Sequence, residues 1–64
     1  MLENRVKEYR EKLGFSQVEL ARRAKVASTN LSSIERYQLA AWPKVKKSLA
    51  RALKTPIEIL FPEV

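Results

Sequence analysis

Apolar residues recur at helical spacing along the first fourteen positions of the chain. Leu2, Val6, Tyr9 and Leu13 are separated by four, three and four residues. In an α-helix this spacing places all four side chains on one stripe. The pattern therefore predicts an amphipathic first helix that buries one face, and Gly14 is well suited to end it.

A second helix is predicted to begin at Gln17. Ser16 has Glu19 three positions on, which is the capping-box pattern, in which each side chain bonds the other residue's backbone N–H at the start of a helix. Phe15 and Leu20 are placed to form a hydrophobic staple across that start. The small apolar face of this helix consists of Leu20, Ala21 and Ala24.

A third segment has a narrower apolar stripe, in which Leu31 and Ile34 lie three positions apart. Small polar residues surround them, so this helix would be a thin rod that can enter the major groove of DNA and offer hydroxyls and an amide to base edges. Taken alone, the composition favours a merely solvated helix face, because Ser, Thr and Asn are mediocre helix formers. The polar residues are Ser28, Thr29, Asn30, Ser32, Ser33, Glu35 and Arg36.

A basic fourth helix and a short fifth helix complete the pattern. Pro43 suits the first turn of a helix, where its missing N–H loses no hydrogen bond. Thr55 and Glu58 form a second capping box with Pro56 at the first helical position, and Pro62 ends the closing helix. The residues of the fourth helix that are predicted to face inward are Val45, Leu49, Ala52 and Leu53, and the closing helix consists of Ile57, Ile59, Leu60 and Phe61. The outward basic residues are Lys44, Lys46, Lys47, Arg51 and Lys54.

The connection from Tyr37 to Trp42 is more apolar than a free loop should be. Leu39 and Trp42 are expected to fold back on the core, because a domain this small needs the large side chains that it can bury. The alternative is that they form a contact between two copies of the chain.

The stretch from Ser16 to Arg36, SQVELARRAKVASTNLSSIER, resembles the helix-turn-helix of Cro and phage repressors, the XRE family of bacterial regulators. The resemblance implies an all-α fold: a compact five-helix, lambda-repressor-like DNA-binding domain spanning residues 1–64, with the helix-turn-helix at about 16–36. It also implies that the third helix is the recognition helix in the major groove.

The resemblance assigns roles to the polar residues. Thr29 can offer a methyl group to thymine and a hydroxyl to a neighbouring base. In the family, an arginine matching Arg10 pairs with the acidic residue matching Glu35 and ties the first helix to the end of the recognition helix; the alternative is two ordinary surface charges. The expected base-reading residues are Ser28, Thr29, Ser32 and Ser33, and the expected phosphate-binding residues are Gln17, Asn30, Arg36, Lys44 and Arg10.

The chain departs from the family pattern at three positions. Lys25 and Tyr37 stand where glycine is common, in a left-handed conformation that costs a non-glycine residue roughly 1 kcal/mol or more. Ala27 replaces the usual serine cap of the recognition helix. Ser28 is the alternative cap, which would shift the helix start by one residue.

Composition narrows the class of function. The 64 residues include no Cys and no His, which removes the usual zinc and iron ligands and both Cys-His and Ser-His nucleophiles. An enzyme is therefore not expected, and neither is a cofactor, a metal or a small-molecule ligand. The formal net charge of +6 calls for an anionic partner, and residues 28–54 hold six basic residues against one acidic residue.

The expected function is sequence-specific binding of double-stranded DNA by a cytoplasmic transcriptional regulator of the repressor or Cro type. A charged start without a signal peptide, and apolar runs too short to span a membrane, favour this location. Homodimerisation, at least on DNA, is expected because half-sites lie about 34 Å apart. The alternative is a protein-interaction module such as an antitoxin, which exposed Leu39 and Trp42 would favour.

Overall fold

The computed structural model describes residues 3–62. This range contains five helices, in the order that the apolar pattern predicts. The helices are α1 (Val6–Lys12), α2 (Gln17–Ala24), α3 (Ser28–Glu35), α4 (Pro43–Leu53) and α5 (Ile57–Leu60). Within this range there is no strand. Helix α2 packs against α3 and α4, and α4 also packs against α1 and α5. The predicted all-α, lambda-repressor-like architecture is confirmed.

The apolar stripes of the helices meet in one core. Its buried residues are Val6, Leu20, Ala21, Ala24, Leu31, Ile34, Val45, Leu49, Leu53, Leu60 and Phe61. The prediction was wrong for Leu13, which is 46% exposed because α1 ends at Lys12 and Leu13 lies beyond its buried stripe. Ile59 is likewise exposed, and Leu2 lies outside the described residues.

The four longer helices end in the same way. After each helix one residue adopts a left-handed conformation, and the next residue donates its N–H to a carbonyl five positions back, as in a Schellman-type end. The first of these residues is Gly14, at φ 77°, and it is the single glycine of the chain. Lys25, Tyr37 and Lys54 take the same conformation at φ 57°, 63° and 53°. Each of these three sites holds strain of roughly 1 kcal/mol that a glycine would relieve.

The helix starts follow the sequence less closely than the ends. Ser16 caps α2 by accepting the Glu19 N–H at 3.0 Å, but the Glu19 carboxylate bonds two arginines instead of completing the box. Helix α3 begins at Ser28, with Ala27 at the cap position, so Ser28 does not cap it and the start is not shifted. The second capping box does not form, because the Thr55 hydroxyl donates to the Leu53 carbonyl and Pro56 takes the cap position.

Candidate nucleic-acid interface

The expected base-reading residues share one face of α3. At about 100° of rotation per residue, Ser28, Thr29, Ser32 and Ser33 fall within about 140° of one another. Leu31 and Ile34 lie on the opposite side and are fully buried. Ser28 and Thr29 are exposed, whereas Ser32 and Ser33 are partly covered. The helix thus presents hydroxyl groups to solvent while its apolar stripe is held in the core.

Arg36 extends this hydroxyl-bearing face. It caps the C-terminus of α3, is exposed, and lies at a helical angle between those of Thr29 and Ser32. A cation at this end of the helix also complements the helix dipole. Positive charge therefore lies on the same side of α3 as the hydroxyl groups.

A buried charge network fixes the end of α3 against α1 and α2. Arg10 donates from Nε to Glu35 Oε2 at 2.8 Å and from Nη2 to Oε1 at 3.1 Å. Gln17 donates from Nε2 to the same Oε1 at 3.0 Å. The Glu35 side chain is 2% exposed and the Arg10 side chain 11%, so the two are not ordinary surface charges. The structure brings the sequence-expected pair together and adds Gln17 to it.

This network limits what Arg10 has left for DNA. Its Nη1 also donates to the Phe15 carbonyl at 2.9 Å, so every nitrogen of the guanidinium is bonded inside the protein. The hydrogen bonds that Arg10 donates to the Glu35 carboxylate raise the pKa of Arg10 above its ordinary value, against the opposing effect of burial. Arg10 is placed to position α3, and its exposed fraction leaves little surface for a phosphate.

Asn30 lies at the edge of the hydroxyl-bearing face of α3, about 60° from Ser33 and about 100° from Thr29. It lines a groove between α3 and α4 together with Lys44, Trp42 and Lys25. Lys44 is exposed at the second position of α4, where a cation is disfavoured by the helix dipole unless an anion comes close. Of the expected phosphate-binding residues, the structure therefore groups Asn30 with Lys44 on one side of α3, and Gln17 lies on the other side.

The apolar connection before α4 divides between two environments. Leu39 is half-buried and packs against the core, as expected. The expectation of burial was wrong for Trp42, which is 44% exposed at the cap position of α4 and lines the groove beside Asn30. Leu39 and Trp42 therefore have different surroundings, and of these two only Trp42 is exposed.

An exposed ion cluster occupies the outer face of α2. Arg22 and Arg23 both donate to the Glu19 carboxylate, the latter from Nε at 2.6 Å. The hydrogen bond from Arg22 has the largest effect and that from Arg23 the next largest, and both lower the pKa of Glu19 below its ordinary value. The associated stability is present above the unfolded-state pKa and is lost as pH falls through the folded-state value. Because the cluster is exposed, solvent screening makes this contribution small.

Asn4 also holds the end of α3 in place, a role that was not predicted from the sequence. Its side chain accepts the Val6 N–H at 3.0 Å and donates to the Ile34 carbonyl at 2.9 Å. It thereby joins the start of α1 to the end of α3. An asparagine just before a helix is a recognisable cap signal, but its second partner lies thirty residues away and carries no local signal.

A helix-turn-helix family model matches residues 6–60, a stretch that includes all of the helices described here. The fold and the polar recognition helix thus define a helix-turn-helix DNA-binding domain. The chain belongs to the Cro/C1-type helix-turn-helix family, the XRE family, and at the level of that family it is a DNA-binding transcription regulator. No curated protein and no solved structure matches the chain. Across residues 3–62, none of the helices has the length and apolar character needed to cross a membrane.

Proposed function

We propose that the protein is a sequence-specific repressor or Cro-type regulator that reads double-stranded DNA with the hydroxyl-bearing face of α3. The observation that supports this most is the division of α3 itself. Leu31 and Ile34 are fully buried, while Ser28 and Thr29 on the other side are exposed. A helix held in this way projects small polar groups outward, and small groups allow its backbone to approach base edges closely.

The residue roles follow from this placement. Ser28, Thr29, Ser32 and Ser33 read base edges through hydroxyl groups, and the Thr29 methyl also contacts a thymine. Phosphate contacts position the domain on the duplex and carry no sequence information themselves. These contacts come from Gln17, Asn30, Arg36 and Lys44, with a minor share from Arg10 because its guanidinium is bonded inside the protein.

Binding as a homodimer fits the size of the domain and the strength of its contacts. The described chain extends 29 Å along its longest axis, less than the separation of about 34 Å between half-sites on one face of DNA. A hydroxyl lacks the bidentate geometry by which arginine on guanine is worth about 1–3 kcal/mol. Two domains on a pseudo-palindrome would combine two modest sets of contacts into useful specificity.

Selection from a randomised duplex pool at two salt concentrations tests this proposal. We expect enrichment of a two-fold symmetric motif, with two chains bound per duplex in a sedimentation or mass-photometry measurement. If binding enriches no sequence and only weakens with salt, the basic surface binds DNA without sequence preference, and the proposal is contradicted. One chain bound per enriched duplex would contradict the dimer.

A protein-interaction module, such as the antitoxin of a toxin–antitoxin pair, is the second candidate. The exposure of Trp42 favours it, because a large aromatic side chain at a surface is a common anchor for a protein partner. Leu39 supports it less, since it packs against the core. A Trp42→Ala variant that keeps the enriched DNA motif but loses a co-purified partner would assign the two functions to separate surfaces.

A further inference from the structure

A basic groove runs between α2 and α4, beside the surface proposed for DNA. It has a volume of about 320 Å³, and its charged lining residues are Arg23, Lys25, Lys44 and Arg51. Among residues 3–62, no carboxylate lines it. Along the rest of the described surface, the groove on α1 mixes Arg5, Lys7 and Lys12 with Glu8 and Glu11. The α2–α4 groove is therefore the more strongly cationic of the two.

The charge of this groove is mostly uncompensated within the described chain. Arg23 donates to Glu19 and its guanidinium lies 4.6 Å from the centroid of the Phe15 ring, so part of its charge is used locally. Within residues 3–62, the salt bridges leave Lys25, Lys44 and Arg51 unpaired, and all three are exposed. Three cations gathered in this way repel one another unless an anion binds among them.

The groove is continuous with the recognition helix. Lys25, Lys44 and Ser48 also line the neighbouring groove that contains Asn30 of α3. From Lys44 the cationic surface continues along α4 to Arg51, seven residues on, or about 10 Å at 1.5 Å per residue. A DNA strand carries a phosphate about every 3.4 Å of helix axis, so this length spans about three phosphate-to-phosphate steps.

Lys25 lines the groove in a left-handed backbone conformation that is unfavourable for lysine. Its φ of 57° is one that glycine adopts without strain, whereas a lysine there costs roughly 1 kcal/mol. Its charge is also favoured by the C-terminal dipole of α2, which offsets part of that cost. The side chain thus supplies a cation beside Lys44 at a turn that would be more stable without it.

We propose that Lys25, Lys44 and Arg51 form a phosphate-binding track, which contacts the DNA backbone outside the base pairs read by α3. This inference rests on the proposed DNA-reading role of α3 and extends it by two residues, Lys25 and Arg51. The track lengthens the footprint of each domain beyond its half-site. It raises affinity and salt dependence without changing the sequence that is preferred.

The test compares two duplexes: one limited to the enriched site, and one with the same site flanked by about ten further base pairs on each side. Affinity is measured by fluorescence anisotropy over a series of salt concentrations for wild type, Arg51→Gln and Lys25→Gly. On the long duplex each variant is expected to lower the salt-dependence slope by about 1.8, because one phosphate contact worth about 0.9 is lost from each of the two bound chains. On the short duplex the variants should match wild type.

Lys7→Gln is the matched control, because it removes one exposed positive charge from α1, outside the track. It should leave the difference between the two duplexes unchanged. Thermal unfolding separates effects on folding from effects on binding. Because Lys25→Gly relieves the left-handed strain, its thermal midpoint should not fall, whereas the salt-dependence slope of its DNA binding should. Equal slopes for wild type, Arg51→Gln and Lys25→Gly on the long duplex would overturn the track, and the groove would then suit an acidic protein better.

The failure of the track and the failure of the DNA-reading proposal give different results. If wild type enriches no motif, the proposed function fails, and the same slope comparison on an unrelated long duplex still decides the track. If wild type enriches a motif but the variants keep its slope, only the track fails.

Discussion

Replacing Glu35 with alanine is expected to lower the free energy of unfolding by about 3–5 kcal/mol, which is the cost of removing one partner from a buried ion pair. The variant leaves the guanidinium of Arg10 and the side-chain amide of Gln17 without their shared acceptor. A 64-residue domain typically has a total stability of only about 3–10 kcal/mol. Urea denaturation followed by circular dichroism should therefore show an unfolding transition at a much lower urea concentration than that of wild type.

Two further variants show whether the effect comes from the buried charge. Glu8→Ala removes an exposed carboxylate, 3.5 Å from Lys12, and should change stability by less than about 1 kcal/mol. The double variant Arg10→Met/Glu35→Leu replaces the pair with apolar groups and should recover most of the stability lost in Glu35→Ala. If Glu35→Ala unfolds at the same urea concentration as Glu8→Ala, the network does not hold α3 in place.

Leu31→Ala is expected to destabilise the domain by about 2–5 kcal/mol, because it removes a fully buried side chain and leaves a cavity under the recognition helix. Thr29→Ala is the matched control on the same helix. Thr29 is exposed, so its loss should change stability by about 0.5 kcal/mol or less. Parallel urea titrations give both values.

DNA binding separates these two α3 variants in a second way. Thr29→Ala should weaken binding while the protein remains folded, whereas Leu31→Ala should weaken binding in proportion to the fraction unfolded. A Leu31→Ala protein as stable as wild type would show that α3 does not depend on its apolar stripe.

The helices of this domain could be predicted because each one buries a regular stripe. Leu20, Ala21 and Ala24 on α2 and Leu31 and Ile34 on α3 are all buried, as their spacing required. The family resemblance added the pairing of Arg10 with Glu35. Periodicity alone also places Asn30 at the edge of the hydroxyl-bearing face, about 60° from Ser33 at about 100° per residue.

The remaining features depend on contacts that have no local pattern. Gln17 was expected at a phosphate, but its amide also bonds Glu35, eighteen residues away. Trp42 was expected in the core, yet it lies at the cap position of α4 and is 44% exposed. Lys54 is left-handed because the backbone must turn into α5, and lysine gives no signal of that conformation.

The most direct measurement of the base-reading role of α3 is duplex selection with wild type and the double variant Thr29→Ala/Ser33→Ala in parallel. The free energies of unfolding of the two proteins should differ by no more than about 0.5 kcal/mol for each substitution. We expect wild type to enrich a two-fold symmetric motif and the double variant to lose preference at particular base pairs in each half-site while keeping its salt dependence. The same motif enriched with equal strength by both proteins would show that other residues read the site.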